Sequence, residues 1–337
     1  LKKQDRILLA HGSGGKLSHD LISQVFLPNF ANPFLERLDD AAVFELSGES
    51  LAFTTDSYVV SPLFFKGGDI GKLALCGTVN DLAMSGAVPR FLSVAFIIEE
   101  GFLVKDLLRI LDSMKSAAEE AGVVVVTGDT KVVEKGGADG LFINTAGVGV
   151  VPPGTDISGS NARAGDKIIL SGTIGDHGIA IISEREGLSF QTKIVSDCAP
   201  LNGLVSEMLK ASTEVRAMRD PTRGGLASTL NEIAQQSRVG MEIKEEKIPI
   251  KEDVFGACEM LGFDPLHVAN EGKLVAVVAA NAAEAVLSAM RKNRYGKDAA
   301  IIGEAIEGQP GRVLMKTTVG ATRIVDMLVG EQLPRIC

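Results

Sequence analysis

Short apolar runs, each closed by a glycine, aspartate or threonine turn and followed by a helix-periodic stretch, recur along this chain and confine it to the α/β class. In the first half, residues 51–56, 91–98, 123–126 and 141–151 read as strands, the third of them buried, with helices over 70–84 and 104–121. Pro152-Pro153-Gly154 and the Ser/Gly/Asn-rich stretch to Gly165 look like an interdomain connection. Beyond it, strands are expected over 167–170, 274–279, 300–304, 312–317 and 322–327, and helices over 179–185, 226–234 and 282–292. At 337 residues the chain exceeds what one core comfortably serves. The expected division is a glycine-rich segment and helix (1–34), an N-terminal domain (35–151), a C-terminal α+β domain (152–330) and a tail (331–337).

Composition removes several classes of function. The net charge is −9 and no Lys/Arg cluster is long enough to follow a phosphate backbone, so nucleic acid is not expected as a partner. Cys76, Cys198, Cys258 and Cys337 are widely scattered with no C-x-x-C, which indicates neither a disulfide framework nor a zinc site and suits a reducing cytoplasm. The first three read as small buried residues. No apolar run reaches the roughly 18 residues of a membrane span, and no signal-type segment follows Leu1-Lys2-Lys3-Gln4-Asp5.

His11-Gly12-Ser13-Gly14-Gly15-Lys16 precedes an apolar-periodic helix containing Leu17, Leu21, Ile22 and Val25. Successive glycines let backbone N–H groups converge on an anion and Lys16 adds charge, although such a loop is more often a plain turn. Gly67-Gly68-Asp69-Ile70-Gly71-Lys72 approaches a Walker loop but has the wrong spacing and runs into Leu73. Acids stand at the boundaries of apolar elements throughout: Asp39 and Asp40 before Ala41, Asp56 closing 51–56, Asp81 after Asn80, Asp129 before Thr130-Lys131, and Asp220 before Pro221-Thr222-Arg223. The last opens a helix whose free N–H groups, beside Arg223, would welcome phosphate. If four of these aspartates converge, they need cations to remain ionised; an all-oxygen set selects magnesium, which commonly bridges to nucleotide phosphates. The loop 172–178 carries no comparable signal, and His177 reads as a turn residue.

The tail Glu331-Gln332-Leu333-Pro334-Arg335-Ile336-Cys337 follows Gly330, and its proline keeps Leu333 extended. A thiol on a short mobile arm can visit two places, one where it is loaded and one where the load is processed; a frayed terminus is the plainer reading. A neighbouring carboxylate should raise its pKa above the reference of about 8.5, with Arg335 lowering it.

In order, HGSGGK, DDAA, FTTDS, NDLAMSGAVP, GDTKVV, DPTRGGLASTLNEIA, NEGK and PRIC resemble the HypE family of hydrogenase maturation factors. That family sits in the ATP-binding group of aminoimidazole ribonucleotide synthetase, selenophosphate synthetase and thiamine-phosphate kinase. The resemblance covers nearly the whole chain, while NDLA-like and GDT-like pieces recur across the group. It implies a two-domain α/β and α+β fold, a homodimer paired through N-terminal sheets, and ATP with Mg2+ between the domains. It also implies that a carbamoyltransferase, HypF, loads a carboxamide onto Cys337, and that ATP-dependent dehydration to a thiocyanate follows. Cyanide would then pass to iron on a HypC–HypD scaffold for [NiFe] hydrogenase. On this reading Glu271, in Asn270-Glu271-Gly272-Lys273, takes a proton from the carboxamide nitrogen, Lys131 stabilises developing charge, and Asp81 is either a metal ligand or a second base. Nucleotide contacts are expected from Gly12, Gly14, Gly15, Lys16, Asp40, Asp56, Asn80, Thr130 and Arg223, and magnesium ligands from Asp39, Asp40, Asp56, Asp81, Asp129 and Asp220. Selenophosphate synthetases commonly carry a Cys or selenocysteine in the glycine loop, whereas here the first cysteine is Cys76. A nucleotide-responsive scaffold without chemistry is the rival from another class.

Overall fold

The computed structural model describes residues 6–187, 194–328 and 335–337. After a single 3-10 turn the chain forms α1 (Lys16–Leu21), a π turn (Ile22–Phe26) and α2 (Leu27–Phe30). The apolar face expected to be buried there is not: Ile22, Val25, Phe26 and Phe30 are exposed.

The first domain runs β1 (Ala42–Leu46), β2 (Glu49–Tyr58), a ribbon of β3 (Phe64–Phe65) and β4 (Gly68–Asp69), α3 (Ile70–Met84), β5 (Val88–Glu99), α4 (Val104–Ala121), β6 (Val124–Val133) and β7 (Leu141–Val150). Its main sheet has the order β1-β2-β7-β5-β6. Only β5 and β6 pair in parallel, and α4 provides the crossover such a pair requires. Apolar almost all round, α3 is buried on nearly every side, packing on β2, β7 and α4. The Walker-like string serves as its start: Asp69 Oδ1 accepts from Gly71 N (2.8 Å) and Lys72 N (3.1 Å), an N-cap.

Residues 123–126 do not form the expected buried strand. Val123 is buried but precedes the strand, and residues 124–126 open an edge strand that continues to Val133, leaving Val124, Val125, Val126 and Val132 exposed. A run of valines suits the middle of a parallel sheet and an uncovered edge alike, so hydrophobicity could not separate the two.

The second domain contains β8 (Lys167–Leu170), α5 (Asp176–Arg185), α6 (Asn202–Ala211), β9 (Val215–Arg219), α7 (Gly225–Ser237), β10 (Gly240–Lys244), α8 (Glu252–Leu261), β11 (Val275–Val278), α9 (Ala283–Lys292), β12 (Ala300–Ile306), β13 (Val313–Lys316) and β14 (Thr322–Val325). They form a seven-stranded sheet ordered β14-β13-β10-β12-β8-β11-β9. Alternation along β8 builds both faces: Ile168 and Leu170 pack with Leu226, Leu230 and Ile233 of α7, while Ile169 packs with α6 and α9. Sequence periodicity missed α6, β9, β10 and α8. Among the described residues no helix is long and apolar enough to cross a membrane.

Candidate active site between the domains

Strand β2 supplies one wall. Its alternation turns Thr54, Asp56 and Tyr58 toward α3, where Thr54 Oγ1 donates to Asp81 Oδ2 (3.0 Å) and Tyr58 Oη donates to Asp56 Oδ2 (3.1 Å). A glycine is required opposite: a Cβ on Gly77 of α3 would lie 2.2 Å from Tyr58 Oη. The second domain supplies the other wall, assembled by Asn270. Its Oδ1 accepts from Gly175 N (2.7 Å) and its Nδ2 donates to Pro221 O (3.0 Å), drawing the loops before α5 and α7 beside Glu271. Glu271 N donates to Asp197 Oδ1 (3.0 Å), and Asp197 pairs with Lys273 (3.1 Å). Glu271 Oε1 is buried and has no hydrogen-bond partner among the described residues.

Two chambers result. The larger, about 360 Å³, is lined by Asp39, Asp40, Asp56, Asp81, Arg219 and Glu232, with Gly14, Ser18 and His19 at its rim. The smaller, about 30 Å³, is lined by Asp56, Tyr58, Asp81, Asp220, Arg223, Glu271 and Cys337. Asp56 and Asp81 border both. Gly14, at φ +74°, lies against Arg223, where a Cβ would come within 2.5 Å of the arginine Cβ. Arg223 itself donates to Gly12 O (2.9 Å), and Lys16 N donates to Leu328 O (3.0 Å).

The tip of the tail is docked here rather than carried on a free arm, and residues 331–334 lie outside the described residues. Cys337 O accepts from Val59 N (3.0 Å) and Arg335 O from Ser61 N (3.2 Å), extending the segment that follows β2. Ile336 is buried in the first domain's core. Arg335 turns away from the thiol, donating to Val59 O (2.9 Å) and pairing with Asp139, so the cation beside the sulfur is Arg223 instead of the expected Arg335.

Carboxylates crowded in a desolvated cleft resist ionisation. Desolvation, outweighing Arg219 at 2.8 Å, raises Asp40 to about 6. It also raises Asp56 against Arg223. Desolvation and then the charge of Asp56 push Asp81 well above its usual range; desolvation and then Asp40 do the same to Asp220. Glu271 is pushed well up by burial, with neighbouring acids adding to it. Burial likewise lifts the Cys337 thiol to about 12, against the pull of Arg223.

Of the expected residues, Asp40, Asp56, Asp81, Asp220, Arg223, Glu271 and Cys337 line the two chambers. Asp39 lines the larger, but its carboxylate accepts from Ser158 Oγ (2.9 Å) and Gly159 N (3.0 Å). Asn80, expected at the nucleotide, is fully buried and spent on the protein: Nδ2 donates to Ala199 O (3.1 Å) and Glu271 O (3.3 Å), and Oδ1 accepts from Leu201 N (2.8 Å). It ties α3 to the second domain. Asp129, Thr130 and Lys131 are not brought in within one chain. They lie on β6, three strand spacings or about 14 Å from β2, with Lys131 Nζ paired to Asp129 at 2.6 Å in solvent. Tyr58, Arg219 and Asn270 went unrecognised, and only the neighbouring acidic motifs signalled them.

Among the described residues, no three His, Cys, Asp or Glu side chains are grouped closely enough to hold a metal unaided. The site nonetheless fits magnesium brought in on phosphate. Its donors are hard oxygens, Asp40 Oδ2 is buried without a partner among the described residues, and magnesium usually takes one or two carboxylates plus phosphate oxygens. Asp40, Asp56, Asp81 and Asp220 are the residues that would hold it.

The N-terminal domain model of AIR synthase related proteins matches residues 38–151 and the C-terminal domain model matches 163–316. A Bradyrhizobium diazoefficiens protein named carbamoyl dehydratase HypE is 59% identical over 330 residues, covering 98% of this chain and 95% of its own. The crystal structure of hydrogenase maturation protein HypE in complex with ATP matches with TM-score 0.83 and 49% identity, covering 98% of this chain and 100% of that one. A HypE chain from a HypE–HypF complex matches with TM-score 0.87 and 54% identity, covering 91% and 99%. The chain therefore belongs to the HypE carbamoyl dehydratase family, within the superfamily of AIR synthase related proteins.

Proposed function

We propose that this chain uses ATP to dehydrate a carboxamide carried on the Cys337 sulfur, yielding a thiocyanate as the source of cyanide for [NiFe] hydrogenase iron. The observation that carries this reading is the shared wall: Asp56 and Asp81 border both the chamber suited to nucleotide phosphates and the chamber that Cys337 lines. Phosphoryl donor and carboxamide would thus meet across one pair of carboxylates. The name carbamoyl dehydratase on close relatives and the ATP complex of another support the activity and its co-substrate.

The carboxamide oxygen attacks the γ-phosphorus; an O–P bond forms, ADP leaves, and the nitrogen gives up one proton. Loss of the second N–H proton then closes the nitrile as the C–O bond breaks and phosphate departs. Glu271 is the proposed acceptor for a nitrogen proton: it lines the same small chamber as Cys337, its Oε1 has no hydrogen-bond partner among the described residues, and burial raises its pKa, making it a stronger base than an exposed carboxylate. Asp81 serves as second acceptor or magnesium ligand. Magnesium, when bound, would supply charge neutralisation at the phosphates. Gly14 borders the larger chamber's mouth, and the glycine-rich segment it belongs to, Gly12, Gly14, Gly15 and Lys16, would close over the phosphates.

A thiol raised to about 12 is a poor nucleophile, so Cys337 would be loaded away from this chamber and return with its cargo. The HypF complex of a relative supports a HypF-type carbamoyltransferase as loader, and a HypC–HypD scaffold is the proposed recipient. The exposed Phe91, Ile97, Val126 and Val132 on one open sheet support pairing with a second copy, which would cover the β6 edge. In that homodimer Lys131, Asp129 and Thr130 would serve the partner's chamber. Four free thiols fit a reducing cytoplasm.

The test is intact-mass analysis of protein carrying the Cys337 carboxamide, incubated with ATP and magnesium. Loss of one water from the terminal peptide is expected. An unchanged mass would reject the dehydratase reading and leave a nucleotide-responsive scaffold.

A further inference from the structure

The docked tail satisfies its main chain unevenly. With Arg335 at φ +52° the tip is bent rather than fully extended, and backbone pairing with the segment after β2 serves its carbonyls selectively. Arg335 O and Cys337 O are served by Ser61 N and Val59 N. The carbonyl between them, on Ile336, points into the protein and meets a side chain: His177 Nε2, at 2.8 Å.

His177 is fully buried in the first turn of α5, with its ring edge-on to Phe65 at 5.5 Å between centroids. Its other nitrogen, Nδ1, lies 2.8 Å from Ser196 Oγ, which already accepts from Cys198 N at 3.1 Å. A carbonyl only accepts, so Nε2 must carry the proton; Nδ1 then accepts from the Ser196 hydroxyl, and every group is satisfied in this single tautomer.

Resting on the reading of Cys337 as substrate carrier, we propose that His177 is a positioning residue for the reaction. Its Nε2–H grips the Ile336 carbonyl and thereby holds the next residue's sulfur opposite Glu271. Without it that carbonyl would be buried unsatisfied, which should raise the undocked fraction on the order of ten- to a hundredfold.

The experiment measures iodoacetamide alkylation of Cys337 in the full-length chain, followed on the terminal peptide. His177→Phe should accelerate alkylation by that factor, and His177→Gln, which offers an N–H at a similar reach, should recover most of the protection. A second measurement needs no substitution: imidazole 15N spectra of the unaltered chain should show the Nε2–H tautomer, and deletion of residues 335–337 should release it. A folded His177→Phe chain alkylated at the wild-type rate, or identical His177 signals with and without residues 335–337, would overturn the proposal. If the protection pattern holds but the loaded protein keeps its water on ATP addition, the dehydratase reading fails while the grip stands.

Discussion

Docking of the tail depends most on Ile336, and Ile336→Ala measures that dependence. The side chain is 4% exposed and packs into the core containing Val60, Leu73 and Ile181, so truncation removes three buried carbons. At about 0.8 kcal/mol per carbon the docked state loses about 2.4 kcal/mol, and any unrelaxed cavity adds to this. The undocked tail, exposed in both proteins, is barely affected, so the opening equilibrium should shift roughly fiftyfold. In the docked state burial lifts the thiol of the half-buried Cys337 to about 12 and leaves little thiolate to react, so alkylation proceeds mainly through the open state and its rate reports that equilibrium. Cys337 in Ile336→Ala should therefore react roughly fifty times faster at fixed pH, with the cooperative melting of both domains unchanged. A rate within about threefold of wild type would mean that Ile336 burial does not hold the tail, and the docking energetics argued from it would be wrong.

Glu271→Gln should slow dehydration by about 10²–10⁴, trapping the carboxamide or its phosphorylated form in intact-mass spectra; normal conversion would remove Glu271 as proton acceptor. In the proposed homodimer, Lys131→Ala and Cys337→Ala chains should each be inactive alone, whereas mixed and exchanged they should regain about a quarter of wild-type activity if Lys131 acts across the dimer. No recovery would assign the lysine to its own chain or to no role. For Asp40, with a folded pKa near 6 against 3.8 unfolded, the folded state holds the extra proton between those values. Its stabilising contribution is therefore present at low pH and lost as pH rises through 6, about 3 kcal/mol in all, so urea midpoints of Asp40→Asn should fall less between pH 4 and 7 than those of wild type. A steeper fall in the variant would contradict the sign.

Helices α3 and α4 were readable from sequence to their last residues because local signals bound them: apolar spacing in both, Asp69 at the start of α3, and Gly86 with Pro89 or Gly122 at their ends. Acids at element boundaries were likewise visible, as was the thiol at Cys337. The role of Asn80 was not, because a polar residue on an apolar helix looks the same whether it faces a ligand or another domain's backbone. Nor was the edge position of β6, since a strand's own residues do not say how many neighbours it has.

Composition and periodicity thus settled the class of fold, the separation into two domains and the oxygen-rich, thiol-bearing chemistry available to it, because these depend on contacts between residues close in the chain. Tertiary structure alone decided which carboxylates share a wall, that Arg223 and not Arg335 faces the sulfur, and that Asp129 and Lys131 stand apart from the chambers in one chain. Those outcomes follow from strand order and domain packing, which join residues as distant as Asp56 and Glu271 and have no periodic trace in the sequence between them.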